Sequence, residues 1–173
     1  HFSGGKKSKP ERIVIIDDEP NQQFLYPEMC AFADLFKAWG VPSEIVDPQQ
    51  LEASAEGVWL NGNAVDLVYN RHCDFFLETD QMEGLCDAYL NRSVCLSPNP
   101  FVYGLLADKR RMVAWSDEET LQQLGLKNKD CELLLDLVPR SRLLADCDPE
   151  EIWQQRKGLV FKPVTRFGSR GVL

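Results

Sequence analysis

At 173 residues, 44% of them hydrophobic, the chain has material for one good-sized domain, or one domain and part of another. A formal net charge of −8 argues against a dedicated nucleic-acid binder. No stretch approaches the roughly 18 uninterrupted apolar residues of a membrane span, so no membrane partner is expected.

Residues 1–10 (HFSGGKKSKP) are polar and carry no apolar h-region, so they read as a linker or appended tail rather than a signal peptide. Arg12 to Ile16 is a β-branched run suited to a buried parallel strand. It ends in Asp17-Asp18-Glu19-Pro20, which gathers polar groups at the strand's carboxyl end. A helix is expected from Tyr26-Pro27-Glu28 to about Trp39, with Pro27 in its first turn and Gly40 at C′. Met29, Phe32, Ala33, Leu35, Phe36 and Trp39 give it an apolar face. Glu44 to Val46 reads as the second strand, broken by Asp47-Pro48. Leu51 to Leu60 with the turn Asn61-Gly62-Asn63 reads as a small hairpin.

Val65 to Tyr69 is a further buried strand, ending at Asn70-Arg71. A helix from about Thr79-Asp80 to Leu90 follows, with Thr79 or Asp80 as its cap. Val94 to Leu96 is the next strand and stops at Ser97-Pro98-Asn99-Pro100. Strands and helices alternating at these spacings imply an α/β fold with an open, mainly parallel, Rossmann-like sheet. Ligands of such sheets bind beyond the carboxyl ends of the strands. Asp17, Asp18, Glu19, Asn70, Arg71 and Asn99 are therefore the candidate substrate-binding residues of residues 11–104. The competing reading of Asp17 and Asp18 is a pair of turn-capping groups.

The character changes near residues 100–116. Leu105 to Trp115 is expected to be helical, Ser116-Asp-Glu-Glu119 to start a helix with a capping box, and Leu133 to Leu137 to form a short helix. Val138-Pro-Arg-Ser-Arg142 precedes a helix from Asp148-Pro149 to about Arg156. Leu159 to Phe161 reads as a strand, and Val172-Leu173 as the start of a returning one. Between them Gly168 and Gly171 permit positive φ, so that successive N–H groups can face one concavity beside Lys162, Arg166 and Arg170. The alternative is an ordinary hairpin turn with exposed arginines. The cations of this acidic chain are clustered, at Lys109-Arg110-Arg111, Arg140 and Arg142, and Lys162, Arg166 and Arg170, an arrangement that suits a small anion.

Six cysteines and two histidines form no Cys-x-x-Cys pair and no zinc-ligand spacing. The thiols read as reduced core residues of a cytoplasmic protein. His72 and Cys73, as strand neighbours, would point to opposite faces and could not form a catalytic dyad.

Tyr69-Asn70-Arg71, Asp108-Lys109, Val138-Pro-Arg-Ser-Arg142 and the stretch from Phe161-Lys162-Pro163 to Val172 together resemble the ATP-grasp superfamily. The chain looks most like its glutathionylspermidine-synthase-like and circularly permuted carboxylate–amine ligases. It departs from their pattern at Thr165-Arg166-Phe167, where relatives often carry a smaller, more Gly-rich loop. The resemblance implies a pre-ATP-grasp domain over residues 11–104, then a helical linker and the beginning of a lid subdomain over 105–173. It implies ATP as cofactor, with Lys109 and Lys162 as the nucleotide-contacting lysines and Gly168, Ser169, Arg170 and Gly171 as the loop over the phosphates. Arg71 would face the acyl substrate. The implied activity is peptide-type bond formation between a small-molecule carboxylate and an amine through an acyl phosphate, which needs lysines, backbone N–H groups and magnesium. The Mg2+ ligands would lie beyond residue 173. The chain is accordingly expected to be an amino-terminal fragment, inactive alone, whose other partners are the remaining ATP-grasp subdomains.

A non-catalytic small-molecule or nucleotide-binding module with a degenerate signature is the alternative. A dehydrogenase fits less well, because Asp17-Asp18-Glu19 stands where Gly-x-Gly-x-x-Gly would follow the first strand. A receiver-like phosphoacceptor domain lacks the Asp expected where Asn70-Arg71 ends its strand.

Overall fold

The computed structural model describes residues 9–165, 168 and 171–173. The chain is α/β and folds as two compact units, the first ending at Tyr103 and the second spanning Gly104–Leu173. Seven α-helices occur among the described residues.

In the first unit β1 (Ile13–Ile16), β2 (Ser43–Val46), β6 (Leu67–Asn70) and β7 (Cys95–Ser97) form an all-parallel sheet in the order β2-β1-β6-β7. The β-branched run of β1 is buried along its whole length because it lies between β2 and β6, with Ile16 opposite both Val46 and Asn70. Strand alternation divides the sheet's residues. Val14, Ile16, Val46, Val68 and Leu96 join one buried cluster with Met82, Leu85 and Ala88. On the other face α1 (Tyr26–Ala38) lays Phe32 and Phe36 against Tyr69, with ring centroids 5.0 and 6.2 Å apart. Gly40 follows α1 at φ +75°, the C′ conformation that favours glycine.

Two expectations for this unit are revised. The hairpin over residues 51–63 is a three-stranded antiparallel sheet of β3 (Glu52–Ser54), β4 (Gly57–Leu60) and β5 (Asn63–Ala64). Asn61 and Gly62 both take positive φ, as a type I′ turn demands, and Val65 donates its N–H to Val58 O across 2.8 Å, which keeps it out of β6. The helix expected from Thr79 is a 3₁₀ turn, Asp80–Met82, leading into α2 (Glu83–Leu90). Thr79 makes no side-chain cap, because its hydroxyl donates to Asp74 Oδ2 at 2.8 Å.

The second unit holds α4 (Arg111–Trp115), α5 (Glu118–Gln123), α6 (Asn128–Leu137) and α7 (Pro149–Gln155), while α3 (Pro100–Leu106) spans the division between units. Leu121 and Cys131 are its buried apolar residues among those described. The single helix expected over 105–115 is broken before α4, where Asp108 Oδ1 accepts the Arg110 N–H at 2.8 Å and turns the chain. The cap of α5 is Asp117, which accepts from Thr120 N at 2.9 Å, rather than Ser116, whose hydroxyl oxygen accepts from Ser141 N at 3.0 Å. The helix expected over 133–137 begins earlier, at Asn128.

Leu159–Phe161 forms no strand. Phe161 and Leu173 exchange both backbone hydrogen bonds, at 2.8 and 3.0 Å, and one such pair closes the intervening loop without building a ladder. All six cysteines are free thiols, but the expectation of core residues holds for Cys131 alone, since Cys73 is exposed and Cys30, Cys86, Cys95 and Cys147 are half-buried. Among the described residues no helix is long and apolar enough to cross a membrane.

Candidate functional site

Two groups of polar side chains stand out, one in each unit. The first lies at the carboxyl edge of the parallel sheet, where strand geometry delivers Asp17 after β1, Asp47 after β2 and Asn70-Arg71 at the end of β6. Asp17, Asn70 and His72 are the buried polar residues of the described chain. Asn70 Oδ1 accepts from His72 N at 3.0 Å, and His72 Nδ1 accepts from Asp74 N at 3.0 Å. His72 Nε2 lies 3.1 Å from the Gln81 amide nitrogen, and the Gln81 oxygen accepts from Gln49 Nε2 at 3.2 Å.

Arg71 reaches Glu28 of α1 through Nη2 at 2.9 Å, and its Nε is buried without a hydrogen-bond partner. Its guanidinium carbon lies 5.9 Å from the Tyr69 ring centroid. A guanidinium with an unused inward N–H retains capacity for an anion.

Asp17 is 8% exposed, with Oδ1 accepting from Asp18 N at 2.9 Å. Burial pushes its carboxyl above the ordinary range, opposed by that hydrogen bond and by the charges of His72 and Arg71. A raised acid favours the folded state in its protonated form, so this part of the stability is present at low pH and lost as pH rises through the raised value. Asp17→Asn keeps the acceptor for Asp18 N. It is expected to stabilise the fold at neutral pH by about 0.5 kcal/mol, a small gain because the Asp18 hydrogen bond and the neighbouring positive charges offset much of the burial cost. Thermal melts at neutral and acid pH check this, the gain vanishing in acid. A neutral-pH loss would contradict it.

The remaining edge residues do local work. Asp18 O accepts from Gln23 Nε2. Glu19 sits at φ 39° and donates its N–H to Asp47 Oδ2 at 3.1 Å. Asn99 Oδ1 accepts from Val102 N at 3.0 Å, which commits this side chain to starting α3. Glu28, Asp47 and His72 were not singled out from sequence as site residues. Asp47 was accessible to the same rule that selected Asp17, since it also ends a parallel strand.

The second group surrounds a cavity of about 880 Å³ in the second unit. Lys109, Arg110, Arg140, Arg142 and Lys162 line it, and Glu151 is the carboxylate among the described lining residues. Lys109 is drawn to the 162–164 segment by its backbone N–H and its Nζ, both bonded to Val164 O at 3.3 and 3.4 Å. Gly168 and Gly171 have φ of +58° and +72°, the left-handed region expected of them. Ser169, Arg170 and Arg166 lie outside the described residues.

A second cavity of about 620 Å³ is mostly apolar, and Leu144, Ile152, Leu159 and Phe161 belong to the walls of both. Arg156 stacks over Trp153 at its edge, 4.1 Å from the ring centroid. Among the described residues no three His, Cys, Asp or Glu side chains converge to hold a metal, and Glu151 is occupied by Arg142. Glu151 is the single carboxylate that the described lining of the cavity would offer a divalent cation. No protein-family model and no curated protein matches the chain.

Proposed function

We propose that this chain carries the nucleotide-binding part of an ATP-dependent carboxylate–amine ligase of the ATP-grasp superfamily, glutathionylspermidine-synthase-like or circularly permuted, acting in the cytoplasm. The observation that carries the reading is the convergence of Lys109 and Lys162, distant in sequence, on one cationic cavity. On this reading the first unit is the Rossmann-like pre-ATP-grasp domain, and the second contributes to the lid. Lys109 and Lys162 hold the nucleotide as fixed cations, and the backbone N–H groups around Gly168 and Gly171 contribute donors to the phosphates. ATP, when bound, supplies the phosphoryl group that turns a carboxylate into an acyl donor for an amine. At the carboxyl edge of the first unit Arg71 suits the carboxylate substrate, and Asp17, Asp18 and Glu19 suit the amine.

Titration with a fluorescent ATP analogue tests the reading. The chain is expected to bind, and Lys162→Ala to bind about tenfold or more weakly, the value of one lost charge-assisted hydrogen bond. Unaltered binding by Lys162→Ala overturns it. ADP release from ATP in the presence of peptides, amino acids and polyamines then separates a ligase from a binding module. Nucleotide binding without amine-dependent ADP release selects the module.

A further inference from the structure

We infer that Arg142 is a phosphate-binding residue of this cavity and that Glu151 is its resident counter-ion, displaced when a nucleoside polyphosphate enters. The inference rests on the nucleotide reading of the cavity and adds an exchange of partners to it.

Two arginines of the cavity are paired differently. Arg110 is committed to Asp108, whose carboxylate receives Nε at 2.9 and 3.1 Å, the Nη2 group and the Arg110 backbone N–H. That clamp holds the Asp108 carboxyl down to about 2, and the ionised carboxylate offsets the charge of Arg110 and occupies its N–H donors. Arg142 is 3.6 Å from Glu151 Oε1, well beyond a charge-assisted hydrogen bond, and the two side chains are 43% and 46% exposed. A loose ion pair in contact with water is weak and gives way at little cost.

Both partners are seated without each other. Glu151 Oε1 also accepts from Gln155 Nε2 at 3.2 Å, one turn along α7. The backbone bearing Arg142 is pinned at its neighbour, since Ser141 donates its N–H to Ser116 Oγ at 3.0 Å and its hydroxyl to Pro139 O at 2.9 Å. Arg142 is thus a side chain on a fixed base, beside the cavity's described carboxylate. An entering phosphate offers the planar guanidinium two oxygens in place of Glu151's one. Glu151 meanwhile repels the same phosphate, so it lowers affinity for polyanions in proportion to their charge.

The test is titration of the chain at low salt with ATP, inorganic tripolyphosphate and AMP. Glu151→Gln is expected to bind ATP and tripolyphosphate about two- to fivefold more tightly, and AMP with a smaller gain. Arg142→Gln is expected to weaken both polyphosphates about tenfold, and in the double variant the benefit of Glu151→Gln is lost. Arg142→Lys, with a point charge but no fork, should fall between wild type and Arg142→Gln. A purely structural pair predicts the opposite for Glu151→Gln, unchanged or weaker binding, and that result overturns the inference. Loss of binding in Lys162→Ala with wild-type affinity in Arg142→Gln removes this inference and leaves the nucleotide reading standing. Wild-type affinity in Lys162→Ala alongside the expected Arg142 and Glu151 effects does the reverse. If the unaltered chain binds no polyphosphate, both fall.

Discussion

Gly84→Ala is expected to lower the melting temperature by about 10 °C, equivalent to a loss of about 2 kcal/mol in a unit of this size. In an open helix the same substitution would stabilise by up to about 1 kcal/mol, because glycine is the poorer helix former. The sign reverses here because α2 crosses β3 at the glycine. A methyl at residue 84 would lie 2.2 Å from Ala53 O and 2.8 Å from Ala53 C, which are backbone atoms and cannot swing aside. Relief requires moving β3, which is tied to β4 through the Ala53–Val58 register, or moving α2, whose Leu85 and Ala88 belong to the main buried cluster. Thermal denaturation followed by circular dichroism measures the effect. A melting temperature at or above wild type would refute the close approach.

Asp74→Ala is expected to cost about 1–2 kcal/mol at neutral pH and almost nothing in strong acid. Its carboxylate accepts from Glu78 N at 3.1 Å, Thr79 N at 2.9 Å and Thr79 Oγ1 at 2.8 Å, closing the loop that leads from β6 to α2. Burial alone would raise the Asp74 pKa above 3.8, but these hydrogen bonds and the charge of His72 outweigh it and hold the group below that value. A lowered acid contributes stability that is complete above its unfolded pKa and disappears as pH falls through its folded one. The urea-unfolding curves of wild type and variant should therefore lie apart at neutral pH and close together well below pH 3.8. A constant gap at every pH would show that the carboxylate's charge is not involved. The variant also bears on the candidate site, because the loop that the Asp74 carboxylate closes carries Arg71 and the residue-74 N–H that bonds to the His72 ring.

The two candidate sites differ in how far the amino-acid pattern reveals them. At the sheet edge, strand runs end in polar residues, and the parallel-sheet rule picks out Asp17, Asn70 and Arg71 without coordinates. Glu28 escapes the rule because it belongs to a helix, and it reaches Arg71 only once α1 has packed on the sheet. Asn99 satisfies the rule and is nonetheless committed to starting α3. In the second unit Lys109 and Lys162 stand out through family resemblance and Arg142 through its place in a cation cluster, whereas Glu151 is an ordinary helix-surface residue in any linear pattern. Helix continuity from 105 to 115 failed for a local reason, the Asp108 side chain competing for the Arg110 N–H.

By itself the sequence determined the elements whose cause is local. The β-branched run Ile13–Ile16, the Pro27-to-Gly40 span of α1, the Asn61-Gly62 turn and the Asp148 cap of α7 each rest on torsional preference or a hydrogen bond between near neighbours. Tertiary structure alone decided the third strand of the small sheet, the burial of His72, the intolerance of a side chain at Gly84 and the meeting of Arg142 with Glu151 beside Lys109 and Lys162. Those depend on which surfaces pack together. Contacts between residues far apart in the chain leave no periodic trace, so no local pattern announces them.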